Sequence, residues 1–318
     1  MLLDQLQAQM RTLPEAAGWP EMISVFDHAQ DTPHPDWELP LRVCEAVGGD
    51  PALAVEGAAA VACLQISIIL VDDMLDDDPR GIYHRLGHGQ AANLALAFQA
   101  AAARFIENAR VAAVQKAALQ ATLAKAALAT AYGQWLDVQN LAGEESYWRV
   151  VRAKSTPFYG AAYQIGALLG KADTAVADQL YDLGVLIGEI IQIEDDLTDA
   201  LKQPANADWQ QGRNNLLILY ARTADHAQRE RFEALLPHVA DVKRLEEAQQ
   251  ILAACGAVSY AAYHLIERYR AGRTLLANCA LPDPAPISTI LEQYADKSLL
   301  RLLQAGGVTI SKETLLGS

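Results

Sequence analysis

The stretch Ile68-Ile69-Leu70-Val71-Asp72-Asp73-Met74-Leu75-Asp76-Asp77-Asp78 passes from apolar to acidic without a break. It is echoed by Ile190-Ile191-Gln192-Ile193-Glu194-Asp195-Asp196-Leu197-Thr198-Asp199. Each contains D-D-x-x-D. On a helix, residues four apart share a face, so Asp72 stacks near Asp76 and Asp195 near Asp199. Carboxylates this concentrated repel one another and need a counter-charge. Mg2+ supplies one, because it keeps several waters and takes one or two carboxylates plus substrate phosphates. Two such clusters facing each other would cage a diphosphate through metal ions. The first cluster also falls at the C-terminal end of its helix, where the helix dipole disfavours negative charge. Sequence that works against local stability in this way marks function.

Outward from these runs the pattern is helical. Helices are expected over about 37–47, 52–76, 90–108, 111–140, 146–169, 175–200, 209–223, 224–236, 242–271 and 286–303, with 77–89 a loop. Residues 1–36, punctuated by Pro14, Pro20, Pro33 and Pro35, read as an irregular entry segment. No β-type alternation and no Gly/Ser/Pro-rich linker interrupts the chain, so one all-α domain over 1–318 is the economical reading.

The bulk numbers agree. Of 318 residues 52% are apolar and only 7% aromatic, which suits packed helices. The net charge of −14 argues against nucleic acid and anionic membranes as partners. It also means that an anionic substrate needs metal or local cations. Cys44, Cys63, Cys255 and Cys279 are scattered and read as reduced, buried thiols. The N-terminus lacks the pattern of a signal peptide, and the apolar stretch 57–71 is shorter than a bilayer span. A soluble, cytoplasmic protein without an integral membrane segment is expected.

Further segments complete a resemblance. Gln192-Ile193-Glu194-Asp195-Asp196-Leu197-Thr198-Asp199 resembles the Q-I-x-D-D-x-x-D of the trans-isoprenyl diphosphate synthases, or polyprenyl synthetases, within the class I isoprenoid synthases. Gly133-Gln134-Trp135-Leu136-Asp137 resembles their G-Q-x-x-D, Lys154-Ser155-Thr156 their Lys-Thr pair, and Asp208 to Arg213 their D-L-x-x-G-K. The segments occur in the family's order from about Trp37 onward.

The resemblance implies an all-α bundle around a deep central cavity, in which an allylic isoprenyl diphosphate is ionised for prenyl transfer. It implies catalytic roles for Asp72, Asp73, Asp76, Lys154, Gln192 and Asp195. Asp72, Asp76, Asp195, Asp196 and Asp199 become the metal ligands, for three Mg2+ ions with substrate bound. Arg80, Lys154 and Arg213 become the diphosphate-binding cations. Gln192 would point its amide oxygen at the allylic cation. Leu64, Ser67 and Ile68, upstream of Asp72, would set product length; the small Ser67 and modest Ile68 predict a medium to long chain. A homodimer is implied too.

Departures concentrate at the acceptor site. Aligned on Gly48-Gly49, the family's G-G-K-x-x-R window reads Asp31-Thr32-Pro33-His34-Pro35-Asp36, without its lysine and arginine. The histidines seven residues and one residue before the first Asp are Gln65 and Val71, and R-R-G is reduced to Pro79-Arg80-Gly81. These changes weaken the expected site for isopentenyl diphosphate. They leave open a terpene cyclase on the same fold, or a non-catalytic regulatory subunit. Tyr132, Trp135 and Tyr163 line the cavity or belong to plain core. His84 and His88 read as ordinary hydrogen-bonding groups.

Overall fold

The computed structural model describes residues 2–29 and 34–305. Among these residues every regular element is helical. The N-terminal segment is not irregular: it forms α1 (Leu2–Thr12), α2 (Pro14–Ala17) and α3 (Pro20–Ala29). Pro14 and Pro20 each open a helix, where the missing N–H costs nothing. Leu6, Met10 and Phe26 from this segment are fully buried. Asp31, Thr32 and Pro33 lie outside the described residues.

A 3-10 turn, Pro35–Glu38, leads into α4 (Leu39–Ala46), and another, Pro51–Ala54, into α5 (Val55–Asp76). There follow α6 (Tyr83–Leu86), α7 (His88–Asn108), α8 (Ala113–Val138), α9 (Glu144–Lys154), α10 (Thr156–Leu169) and α11 (Thr174–Leu201). Next come α12 (Ala207–Gln210), α13 (Leu216–Thr223), α14 (Arg229–Leu235), α15 (Val242–Ala254), α16 (Ala257–Asn278) and α17 (Ala285–Ala305). The expected helix 146–169 is divided at Ser155, because Pro157 cannot donate the backbone hydrogen bond that would continue it. The expected helix 242–271 is divided at Gly256, whose φ of +97° suits glycine. Part of 209–223 is the loop between α12 and α13.

α5 is the central helix. Ala58 to Cys63 are six consecutive residues with no exposure, so neighbours surround it on all sides. Its alanines let α7 and α10 pack closely along it, and α10 in turn lies along α11. With the preceding turn, Pro51–Asp76 is long and apolar enough to cross a bilayer by length and composition, but 67% of that window is buried inside the bundle. The core accounts for its hydrophobicity. The C-terminal ends of α5 and α11, which carry the two acidic clusters, open onto one cavity.

Candidate active site

This cavity has a volume of about 820 Å³. Asp72 and Asp76 line it from α5; Asp195, Asp196 and Asp199 line it from α11. Lys154 enters from the end of α9, Arg80 from the loop after α5, and Arg213 from the loop after α12. In all, nine aspartates and four lysines or arginines border it.

Lys154 joins the first wall to α8. Its Nζ lies 2.8 Å from Asp72 Oδ1 and 2.6 Å from Asp137 Oδ2. Burial opposes its charge, but Asp72, Asp137 and Asp76 outweigh burial and hold its pKa above the usual lysine value. Gly133 makes this placement possible. A Cβ there would come within 2.2 Å of the Lys154 backbone nitrogen. Gly133→Ala should force α8 and α9 apart and draw Lys154 from Asp72. We expect a loss of about 2 kcal/mol in denaturant unfolding, the cost of overpacking, together with reduced turnover.

Arg213 Nη1 lies 2.8 Å from Asp76 Oδ2, and Nη2 donates to the Asp76 carbonyl at 3.2 Å. It therefore compensates both the carboxylate and the negative end of α5. Burial and then Asp72 raise the Asp76 pKa, which Lys154 and Arg213 pull back. Arg80 borders the mouth, largely exposed, and is paired with Asp78 at 2.7 Å.

On the second wall the aspartates differ. Asp196 is buried with both oxygens engaged: Oδ2 accepts from Tyr147 Oη and Leu216 N, each at 2.7 Å, and Oδ1 from Gln192 Nε2 at 2.8 Å. Its geometry is that of a strut joining α9, α11 and α13, not that of a free metal ligand. Burial pushes its pKa up to about 7, against these three donors. Asp195 and Asp199 accept no side-chain hydrogen bonds among the described residues. Asp195 is open to the cavity yet surrounded by protein; burial, then Glu194 and Asp199, push its pKa up to about 7. The Gln192 amide oxygen accepts from Ser155 Oγ at 2.7 Å, which engages one of its two lone pairs.

Several expected positions lie off the cavity wall. Asp73 packs against the loop after α5, beneath Gly81, and burial followed by Asp78 and Asp72 pushes its pKa up to about 6. Ser67 and Leu64 are buried in the bundle, and the Ser67 hydroxyl donates to the Leu64 carbonyl. Five residues before Asp72, Ser67 is turned roughly 140° away from it. Of the proposed length-setting residues, Ile68 alone lines the cavity. Tyr132 and Trp135 are exposed on the outside, and Tyr163 is core. His84 contacts the Asp78 carbonyl oxygen at 3.0 Å.

Two clusters go beyond the sequence reading, which singled out Asp36 and Gln65 at the acceptor site but none of their tyrosine partners. Asp36 accepts from Tyr294 Oη at 2.5 Å, Gln65 Nε2 at 3.2 Å and Tyr159 Oη at 3.3 Å. Glu194, nearly fully buried beside Asp195, is met by Lys297 at 2.8 Å, Arg301 at 3.0 Å and Ser298 Oγ at 3.2 Å. Tyr294, Lys297 and Arg301 recur at helical spacing on α17, the only signal the sequence offered of these three.

With this geometry in view, a profile of the polyprenyl synthetase family matches residues 39–253, about two thirds of the chain. The chain belongs to the polyprenyl synthetase family. It is therefore a prenyltransferase of isoprenoid biosynthesis. The short chain isoprenyl diphosphate synthase of Methanothermobacter thermautotrophicus is 32% identical over 240 residues, covering 70% of this chain and 73% of that one. The geranylgeranyl diphosphate synthase of Methanosarcina mazei is 26% identical, covering 82% and 83%. The structure of a polyprenyl synthetase from Streptomyces coelicolor A3(2) superposes with a TM-score of 0.80 at 22% identity, covering 93% of this chain and 96% of that one. A geranylgeranyl pyrophosphate synthase from Corynebacterium glutamicum, complexed with calcium and isoprenyl diphosphate, gives 0.76 at 18% identity, covering 96% and 94%. The polyprenyl synthetase thus has the all-α isoprenoid-synthase bundle.

Proposed function

We propose that this polyprenyl synthetase binds an allylic isoprenyl diphosphate between Asp72/Asp76 and Asp195, with Mg2+, and extends it with isopentenyl diphosphate. The observation that carries the reading is the shared cavity: two acidic walls and Lys154 on a single site.

Divalent cations suit these residues. Nine aspartates outnumber four cations, so a diphosphate entering alone would be repelled. Asp72 Oδ1 is buried without a hydrogen bond and rests on the Lys154 ammonium alone. Among the described residues no three acid, His or Cys side chains form a closed cage. Substrate oxygens and water would then complete each shell, as Mg2+ prefers. Asp72, Asp76 and Asp195, with Asp199 nearby, would hold the metal. When bound, Mg2+ supplies Lewis-acid neutralisation of the departing diphosphate.

The chain's own residues do the rest. Lys154 and Arg213 add fixed positive charge beside the leaving group. As the allylic carbon–oxygen bond breaks, its electrons leave with the diphosphate. Ile68, Phe158 and Ile191 keep water from the cation formed. The acceptor's double bond then attacks that cation, and a proton passes from the adjacent carbon to the departed diphosphate, leaving a new double bond. Asp196, through Tyr147, Gln192 and Leu216, holds α11 in register for Asp195. The three groups hydrogen-bonded to Asp36 are neutral, which supports an acceptor pocket altered from the family's usual cationic one.

Incubation with an allylic diphosphate and Mg2+, with and without isopentenyl diphosphate, tests this reading. Longer diphosphates should form only with the acceptor and vanish with EDTA. Hydrocarbon or alcohol formed without the acceptor would contradict it.

The same proposal includes a single catalytic unit, a cytoplasmic site of action and a homodimer. The dimer is supported by Leu128, Tyr132 and Trp135, exposed at helical spacing on one face of α8. Trp135→Glu should shift the protein from dimer to monomer in light scattering; an unchanged mass would reject this face.

A further inference from the structure

Beneath the charges the cavity is lined first by an apolar residue tier and then by Gln65 and Tyr159. Ile68 and Ile69 stand one turn below Asp72 on α5. Phe158 stands one turn past Lys154 on α10, and Ile191 one turn before Asp195 on α11. A turn is about 5.4 Å, so these side chains lie at similar depth beneath the charges. Ile69 is 41% exposed although α5 is the central core helix; its exposure is into the cavity.

A second turn down α5 the wall becomes polar. Gln65 accepts from Trp37 Nε1 at 2.6 Å and donates to Asp36 at 3.2 Å. The same carboxylate takes the hydroxyls of Tyr159 and Tyr294. An apolar tail advancing here would have to strip hydrogen bonds from part-buried groups and offer none in return, which is unfavourable. Phe158 is tied to this plate. Its ring meets Tyr159 edge-on at 5.1 Å and 82°, and the Tyr159 hydroxyl is anchored on Asp36. Phe158 is only 5% exposed, so the ring has little freedom to swing aside.

We propose that Phe158, acting with Ile69, sets the length of the prenyl tail, and that the product is a short-chain prenyl diphosphate. This rests on the elongation reading above. It replaces Ser67 and Leu64, which lie off the cavity, with a stop on α10.

The test sizes the products of the full-length enzyme, given a short allylic diphosphate, isopentenyl diphosphate and Mg2+, after dephosphorylation and chromatography. Phe158→Ala should lengthen the longest product by an isoprene unit and raise the longer-to-shorter ratio more than about tenfold, the discrimination a hydrophobic pocket gives per misfit group. Phe158→Leu should do so more weakly. Ile69→Phe should shift products shorter, and it decides the matter should the Phe158 variants not fold. Product lengths unchanged by substitution at either position would overturn the stop. A wild-type enzyme that forms no longer diphosphate would overturn the elongation reading instead, before any variant is compared.

Discussion

Replacing Asp195 with asparagine should lower turnover by at least about a thousandfold, while the metal-free variant melts at a higher temperature than wild type at pH 8. The two effects share one cause. Burial, Glu194 and Asp199 push the Asp195 pKa up to about 7. A carboxyl whose folded pKa is raised contributes stability below its unfolded pKa, near 4, and loses it as pH rises through the folded value. At pH 8 the ionised group therefore opposes folding until a cation neutralises it. Asparagine removes that cost and removes the metal ligand with it. The gain in melting temperature should shrink at about pH 5, where wild-type Asp195 is largely protonated. Thermal melts at both pH values and an assay of diphosphate release check this. A variant that stays active, or melts lower at pH 8, would contradict it.

Lys154→Ala should have the opposite effect on stability. Its ammonium bridges Asp72 and Asp137 at 2.8 and 2.6 Å, with only 20% of the side chain exposed. Truncation leaves two carboxylates facing each other without a counter-charge. Breaking a buried pair costs about 3–5 kcal/mol; since both aspartates remain about a third exposed, a loss nearer to about 2 kcal/mol is expected. A lysine with a raised folded pKa contributes stability that is complete below its unfolded pKa and lost only above the folded one. The deficit should therefore be uniform from about pH 6 to 9, unlike the pH-dependent gain of Asp195→Asn. Turnover should fall by roughly 10²–10³-fold, since one fixed charge beside the leaving group is removed. Denaturant unfolding across this pH range, with steady-state kinetics, makes the comparison. A variant as stable as wild type would show that Lys154 does not hold the wall together.

The two predictions rest on features of unequal legibility. The acidic walls were readable because residue type and spacing are local: Asp72 and Asp76 share a helix face wherever the helix goes. Lys154 and Arg213 were readable through segments resembling the family's. Side-chain direction was harder. Asp73 and Ser67 sit among functional neighbours in sequence, but a helix turns them away from the cavity. The N-terminal helices were missed because Pro14 and Pro20 look like breaks when they are helix starts. Partners distant in the chain were not legible at all. Nothing local in Tyr147 or Leu216 announces that they saturate Asp196, and nothing in Tyr294 announces Asp36. Such pairs are set by how helices far apart in sequence come to pack, which hydrophobic periodicity does not encode.

A crystal structure with Mg2+ and an unreactive allylic thiodiphosphate tests the central claim most directly. The expected result is one diphosphate between the walls, its metal ions ligated by Asp72 and Asp76 from α5 and by Asp195 from α11, with Lys154 and Arg213 alongside. A diphosphate whose metals draw on one wall only, or that binds outside this cavity, would contradict the account.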